Sequence, residues 1–253
     1  MRTGELSRSA QFRLILEATF EQARALPGTA RRIPSTSPGW EAPVPPDSRL
    51  CREALDEARS TLSEAVLTHS LRCREWAWAL AELDGLRPDP EELTVACMLH
   101  DVGLGAPDDA QCGCFTELGG RRAALFTVHH GGTEQAAASV RTAIVRHMDV
   151  VSPHTSGDVA VLLHAAAHLD VTGRRVHDLP PTVVASVLAR HPVDGFAREF
   201  AAAMRREARI RPRSRAATLW KAGMALPIRL NPLARQRRSV GRSGTGTGHV
   251  LPQ

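Results

Sequence analysis

The stretch Ala96-Cys97-Met98-Leu99-His100-Asp101-Val102-Gly103-Leu104 sets a histidine and an aspartate side by side at the end of an apolar run, with a glycine close behind. An imidazole nitrogen and a carboxylate oxygen both donate to divalent cations. Alone, the pair reads equally well as a helix C-terminus whose dipole the histidine complements. Its company changes the weighing. His69 stands 31 residues before His100, and Asp170 stands 69 residues after Asp101. Both fall on apolar faces of segments with helical periodicity.

Working outward, Asp89 caps a helix that opens Pro90-Glu91-Glu92, runs through Leu93, Ala96 and Leu99, and breaks at Gly103 and Gly105. Upstream, a helix over 48–60 is capped by Asp47 or Ser48, and a second runs from about Ser63 through Asp84 to Gly85. On that second helix His69, Cys73 and Trp76 share one face at i, i+4 and i+7. Downstream, helices are predicted over 116–128, from Thr133 to His147, over 159–170, from Leu179 to His191, and over 194–208. Leu163, Ala166 and Asp170 align at i, i+3 and i+7 on the helix over 159–170. Segments rich in Ala, Leu, Arg and Glu favour helix, and few alternate as strands do. The expectation is an all-α protein.

Three regions follow. Residues 1–46 hold one amphipathic helix (10–26) and a linker whose span 27–47 contains six prolines. Residues 47–208 form a helical domain. Residues 209–253 read as a basic, largely disordered tail of Arg, Gly and Ser, because the helical pattern dissolves after Ile210. The formal charge of +5 conceals this asymmetry. Residues 205–253 carry twelve Lys and Arg against Glu207 alone, which leaves twenty basic and twenty-six acidic groups in the rest. The tail is a candidate contact for an anionic polymer or membrane surface, with a solvated end as the plainer reading. Five cysteines, Cys51, Cys73, Cys97, Cys112 and Cys114, form no disulfide framework, and Cys112-Gly113-Cys114 has no second pair to complete a zinc knuckle. With no signal-peptide core and no 18-residue apolar run, a cytoplasmic protein without a transmembrane segment is expected.

Asp170 is informative because its helix face offers no neighbouring cation, and an unpaired buried carboxylate costs several kcal/mol, of order. It therefore calls for a cation, a metal or a raised pKa. Alternatively it reaches solvent at a helix end, or pairs with Arg174 or Arg175. Three helices contributing ligands to one centre is how metal sites in helical bundles are built.

The order His69 … His100-Asp101 … Asp170 resembles the HD-domain superfamily of metal-dependent phosphohydrolases, over about residues 50–205. Its local wording supports this: Val66-Leu67-Thr68-His69-Ser70-Leu71-Arg72, the quoted 96–104 stretch, Ala143-Ile144-Val145-Arg146-His147 and Ala165-Ala166-Ala167-His168-Leu169-Asp170-Val171. The resemblance implies an HD-type helical bundle in which His69, His100, Asp101 and Asp170 hold a divalent metal. Many nucleotide-acting members have a lysine soon after the doublet glycine; Leu104 stands there instead. In this wording the chain is more similar to the cyanamide-hydratase-like branch.

Four mixed His/Asp ligands suit Mn, Fe, Zn, Co or Ni, and leave one or two open positions where water is acidified. His100 and Asp101 are then the catalytic pair, with Asp101 also accepting a proton from that water. His147 and His130 are candidates for a second metal. Arg72 and Arg146 are candidates for holding an anionic group at the pocket mouth. His129 is read as an exposed turn residue, and His168 as pointing away from Asp170's side. The expected activity is a metal-dependent hydrolase acting on a phosphoester of a small molecule or nucleotide. The alternatives are hydration of a small nitrile and a non-catalytic HD regulatory module.

Overall fold

The computed structural model describes residues 1–152 and 154–234 of the chain. Those residues form helices α1 (Arg8–Ala30), α2 (Arg49–Thr61), α3 (Glu64–Asp84), α4 (Pro90–Leu99), α5 (Phe115–His129), α6 (Glu134–Arg146), α7 (Asp158–Thr172), α8 (Pro181–Arg190), α9 (Phe196–Ile210), α10 (Arg215–Lys221) and α11 (Ala225–Leu230), with one 3-10 turn at Val176–Asp178. No strand forms among the described residues; isolated bridges join Thr3 to Cys112 and Glu5 to Ser214. The all-α expectation holds. No helix among them is long and apolar enough to cross a membrane.

The helix boundaries follow local chemistry. Ser48 accepts from Cys51 N, Asp89 from Glu91 N and Glu92 N, and Thr133 from Ala136 N, each satisfying donors that a first turn leaves bare. Gly85 and Gly173 end α3 and α7 in the left-handed conformation. α1 outruns its predicted span, carrying Pro27 in its last turns. Residues 32–48 then run without regular structure, as the proline content implies. Ser186 Oγ accepts from Gly39 N and Trp40 N, and Arg74 donates to Pro43 O, tying this segment to the helices.

Two apolar clusters form. The larger gathers residues of α2, α3, α4, α6, α7 and α8, including Trp76, Leu80, Leu93, Leu99, Ile144, Leu162 and Leu163. The smaller joins Ala18 of α1 to Phe196, Phe200 and Met204 of α9, Leu219 of α10 and Ile228 of α11, with Phe115, Met148 and Val171.

This second cluster corrects the sequence expectation for the start of the tail. Residues 211–234 carry the short helices α10 and α11 and pack against α1 and α9. Arg211 is fully buried, pairs with Glu207 and donates to Pro107 O, while Glu207 accepts from Phe115 N at the first turn of α5. Charge density concealed a short apolar pattern, Ala216, Leu219 and Ile228, that has meaning only once α1 and α9 are beside it. Asn231 donates to the backbone oxygen of Asp170 at 2.7 Å, so the segment also anchors the end of α7. The rest of the basic tail, 235–253, with the anionic contact expected of it, lies outside the described residues.

Gly103 is required by close approach. A Cβ there would lie 2.4 Å from the Phe115 carbonyl oxygen and 2.9 Å from Gly119 N, both backbone atoms. Gly103→Ala is therefore expected to destabilise the protein by about 1–3 kcal/mol or more, the usual cost of overpacking. A thermal melt matching that of the unsubstituted protein would contradict this packing.

Candidate metal centre

The two apolar clusters meet around His69, His100, Asp101 and His147, each 4% exposed or less. α3 presents His69, Arg72, Cys73 and Trp76 on one face, all buried. His100 and His147 occupy equivalent places, each in helical conformation just past the last residue of its helix, α4 and α6. Each ring turns back on its own helix: His100 Nδ1 lies 2.8 Å from Cys97 O, and His147 Nδ1 lies 2.6 Å from Ile144 O.

These contacts assign the tautomers. A carbonyl oxygen only accepts, so Nδ1 carries the proton in both rings. His69 Nδ1 lies 2.7 Å from Asp170 Oδ2, and it too donates. In the neutral rings all three Nε2 atoms are therefore bare lone pairs. His69 Nε2 and His100 Nε2 face one another at 3.1 Å. Asp101 Oδ2 lies 3.7 Å from the first and 3.6 Å from the second, and Asp101 Oδ1 lies 3.8 Å from His147 Nε2. Asp101 Oδ2 is buried with no hydrogen-bond partner.

Such a set of converging acceptors needs a positive centre, because an unpartnered buried carboxylate is costly. Protonation of His100 or His147 does not supply it at neutral pH. Burial lowers the pKa of His100, and burial together with the neighbouring His100 takes His147 down to about 3. The donor set fits a transition-metal ion: imidazole nitrogens joined by a carboxylate suit Zn, Fe, Co, Ni or Mn. His100, Asp101 and His147 form one potential ligand group, and His69, Cys73 and His100 another. Cys73 Sγ lies 3.6 Å from both ring nitrogens of His69, against the ring, and burial pushes its thiol well above the ordinary range.

Asp170 stands behind His69. Its Oδ1 accepts from Arg72 Nε and Trp76 Nε1, both at 2.7 Å, and its Oδ2 accepts from Arg72 Nη2 at 2.8 Å and from His69 Nδ1. Burial alone would raise this carboxyl's pKa, but the Arg72 charge and the donated hydrogen bonds hold it well below the carboxylate range. Four donors on one carboxylate make Asp170 the group that fixes the His69 tautomer, as carboxylates behind metal-binding histidines do.

The structure changes four expectations. Asp170, expected among the metal ligands, has both oxygens taken by Arg72, Trp76 and His69 and belongs to neither potential ligand group. Arg72 is not at a pocket mouth: it is fully buried, spent on Asp170 and the Pro192 carbonyl. Its spacing of three from His69 turns it to α7, where the guanidinium fork matches the carboxylate. Arg146 pairs with Asp149 at 3.1 Å, away from the centre. His130 packs on Phe126 with ring centroids 4.1 Å apart, and does not join the cluster. His147 does join it.

Above the centre lies a cavity lined by His69, His100, Asp101, His147, His168 and Phe200, among others. His168 was set aside in the sequence because it lies two residues from Asp170. That separation is correct, but the cavity occupies the side to which His168 turns. Phe196 stacks on His69 with centroids 4.5 Å apart, and Phe115 meets His147 edge-on at 5.8 Å. In sequence, Phe196 and Phe200 are announced only by their apolar spacing on one helix. The cavity gives the centres of water-sized molecules about 50 Å³ of room. One water needs roughly 10–15 Å³ on that measure, so a few waters or a molecule of a few heavy atoms fit.

No family model matches the chain. Two curated enzymes of baker's yeast, Saccharomyces cerevisiae, are similar to it: cyanamide hydratases DDI2 and DDI3. Each is 28% identical over 153 residues, covering 58% of this chain and 68% of the relative. The chain is distantly similar to enzymes. That similarity agrees with the branch indicated by the wording around His69 and His100-Asp101.

Proposed function

We propose that this protein is a metal-dependent hydratase of the HD type, adding water across the carbon–nitrogen triple bond of a small, uncharged nitrile-like substrate. The observation that carries the reading is the cavity itself: narrow, opening on three bare imidazole nitrogens and one unpartnered carboxylate oxygen, and lined by no Arg or Lys. A phosphoester carries at least one negative charge, and sites for it recruit guanidinium or ammonium groups. The arginines expected to serve here are engaged elsewhere, Arg72 with Asp170 and Arg146 with Asp149. The two similar yeast enzymes, by name cyanamide hydratases, lend independent support.

In this reading His69, His100 and Asp101 hold the divalent ion, with His147 completing the set and Asp170 steadying His69. The ion supplies Lewis acidity and makes a water reactive near neutral pH. Asp101 accepts the proton from the attacking water. As the carbon–oxygen bond forms, one carbon–nitrogen π pair moves to nitrogen, and Asp101 returns the proton there. The resulting imidic acid tautomerises to an amide, so one water is consumed and nothing is released. His147, whose pKa burial takes down to about 3, would offer its bare Nε2 to the ion and does not supply the proton.

Purified protein should contain close to one equivalent of transition metal per chain and convert cyanamide to urea, with little turnover of p-nitrophenyl phosphate. Metal-loaded protein that cleaves phosphoesters and leaves cyanamide and simple nitriles intact would overturn the proposal. Metal-loaded protein inert to both classes would favour a regulatory module.

A further inference from the structure

A second, larger cavity lies next to the first. It provides about 270 Å³ on the same measure, against about 50 Å³ at the metal centre. The two share His168, Thr172, Leu219 and Met224 in their walls. From that shared wall the larger cavity extends between α1, the end of α7 and the α10–α11 segment. Its α1 side is lined by Ala18, Ala23 and Ala25, and its far side by Leu226 and Pro227. Small side chains on one wall leave the space open, and alkyl groups on the other make it apolar. Its charged lining residues, Glu21 and Arg174, are already engaged: Arg174 Nη2 lies 3.0 Å from Glu21 Oε2, and Glu21 Oε1 lies 3.6 Å from Arg24 Nη1.

We propose that the substrate has two parts: a compact reacting group that enters the metal-side cavity, and an uncharged hydrocarbon arm, the size of a short alkyl chain or a phenyl ring, that lies in the α1–α7–α11 cavity. This deepens the hydratase reading and rests on it for the identity of the reacting group. It assigns to α1 and to the 215–230 helices, which stand outside the metal-binding elements, the selection of substrate. Because His168, Thr172, Leu219 and Met224 line both cavities, an arm attached to the reacting group passes only these side chains to reach the larger one, whose largely apolar lining favours an uncharged arm.

Burial of each methylene strengthens binding by about fourfold when fully realised. The full-length, metal-loaded protein is titrated calorimetrically with hexanamide and acetamide, amide products of a long and a short nitrile, and assayed with hexanenitrile and acetonitrile. Hexanamide is expected to bind at least tenfold more tightly than acetamide, with the same preference in kcat/KM for hexanenitrile. Filling the larger cavity by Ala25→Trp, or from the opposite wall by Leu226→Trp, should reduce both ratios below threefold. Two variants on different helices guard against one failing to fold. Equal binding of the two amides, or ratios unchanged by both variants, would overturn the arm. The two readings fail separately. Tight hexanamide binding that the tryptophans abolish, without nitrile hydration, removes the reaction and keeps the arm. Hydration indifferent to chain length removes the arm and keeps the reaction.

Discussion

His100→Ala is expected to emerge from purification with less than a tenth of the metal of the unsubstituted protein and to lose turnover by on the order of 10³-fold, since a bound ion contributes several kcal/mol of transition-state stabilisation. His100 Nε2 is central to the cluster: it faces His69 Nε2 at 3.1 Å and lies 3.6 Å from Asp101 Oδ2. Removing it takes away the one residue that both potential ligand groups share. Asp101→Asn is the companion experiment. It keeps the shape of the side chain and removes its negative charge and proton-accepting oxygen. It should cost a similar factor in turnover with a smaller change in folding stability than the histidine truncation. Elemental analysis reads metal content directly, and circular dichroism establishes that both variants remain helical. A His100→Ala protein with a full equivalent of tightly bound metal would remove this centre from consideration.

The second large effect lies behind His69. Arg72→Leu should destabilise the protein by about 3–5 kcal/mol, the cost of leaving a buried charge without its partner. For a chain of this length that is a fall in melting temperature of roughly 6–20 °C. Asp170 is fully buried and takes two of its four hydrogen bonds from Arg72. The double substitution Arg72→Leu with Asp170→Leu should be considerably less destabilised than the sum of the single changes, because it removes both charges together. The pH dependence has a definite sign. The folded state holds Asp170 well below its ordinary pKa, so the pair stabilises the protein above the carboxylate range and loses that contribution as pH falls through the range and below it. The acid side of the stability curve should therefore be steeper for the unsubstituted protein than for the double variant. Additive single-site losses and superimposable acid curves would show that the two side chains do not act as a pair.

Much of the scaffold was legible from local chemistry alone. Asp89, Thr133, Gly85 and Gly173 mark helix ends because capping depends on residues within one turn. The spacing of His69, Cys73 and Trp76 identified the buried face of α3, since 3.6-residue periodicity is a property of the chain itself. His100-Asp101 marked the centre, and the all-α architecture followed from composition and periodicity. Other features needed the neighbours. Periodicity says which side of a helix is buried, never what it is buried against. Arg72 therefore reads in sequence as a pocket arginine, when α7 brings Asp170 to it from 98 residues away. His147 joins the cluster only because α6 ends beside α4, where both histidines turn Nδ1 to their own helix and Nε2 to a common point. His168 and the α10–α11 segment acquire their roles from packing against α1 and α9. The sequence by itself determined the helices, the buried faces and the residue types able to hold a metal. Only the tertiary structure decided which lone pairs converge, which charges pair, and how much room remains above them, because distances between helices depend on packing over the whole chain, whereas caps and periodicity are settled within a few residues.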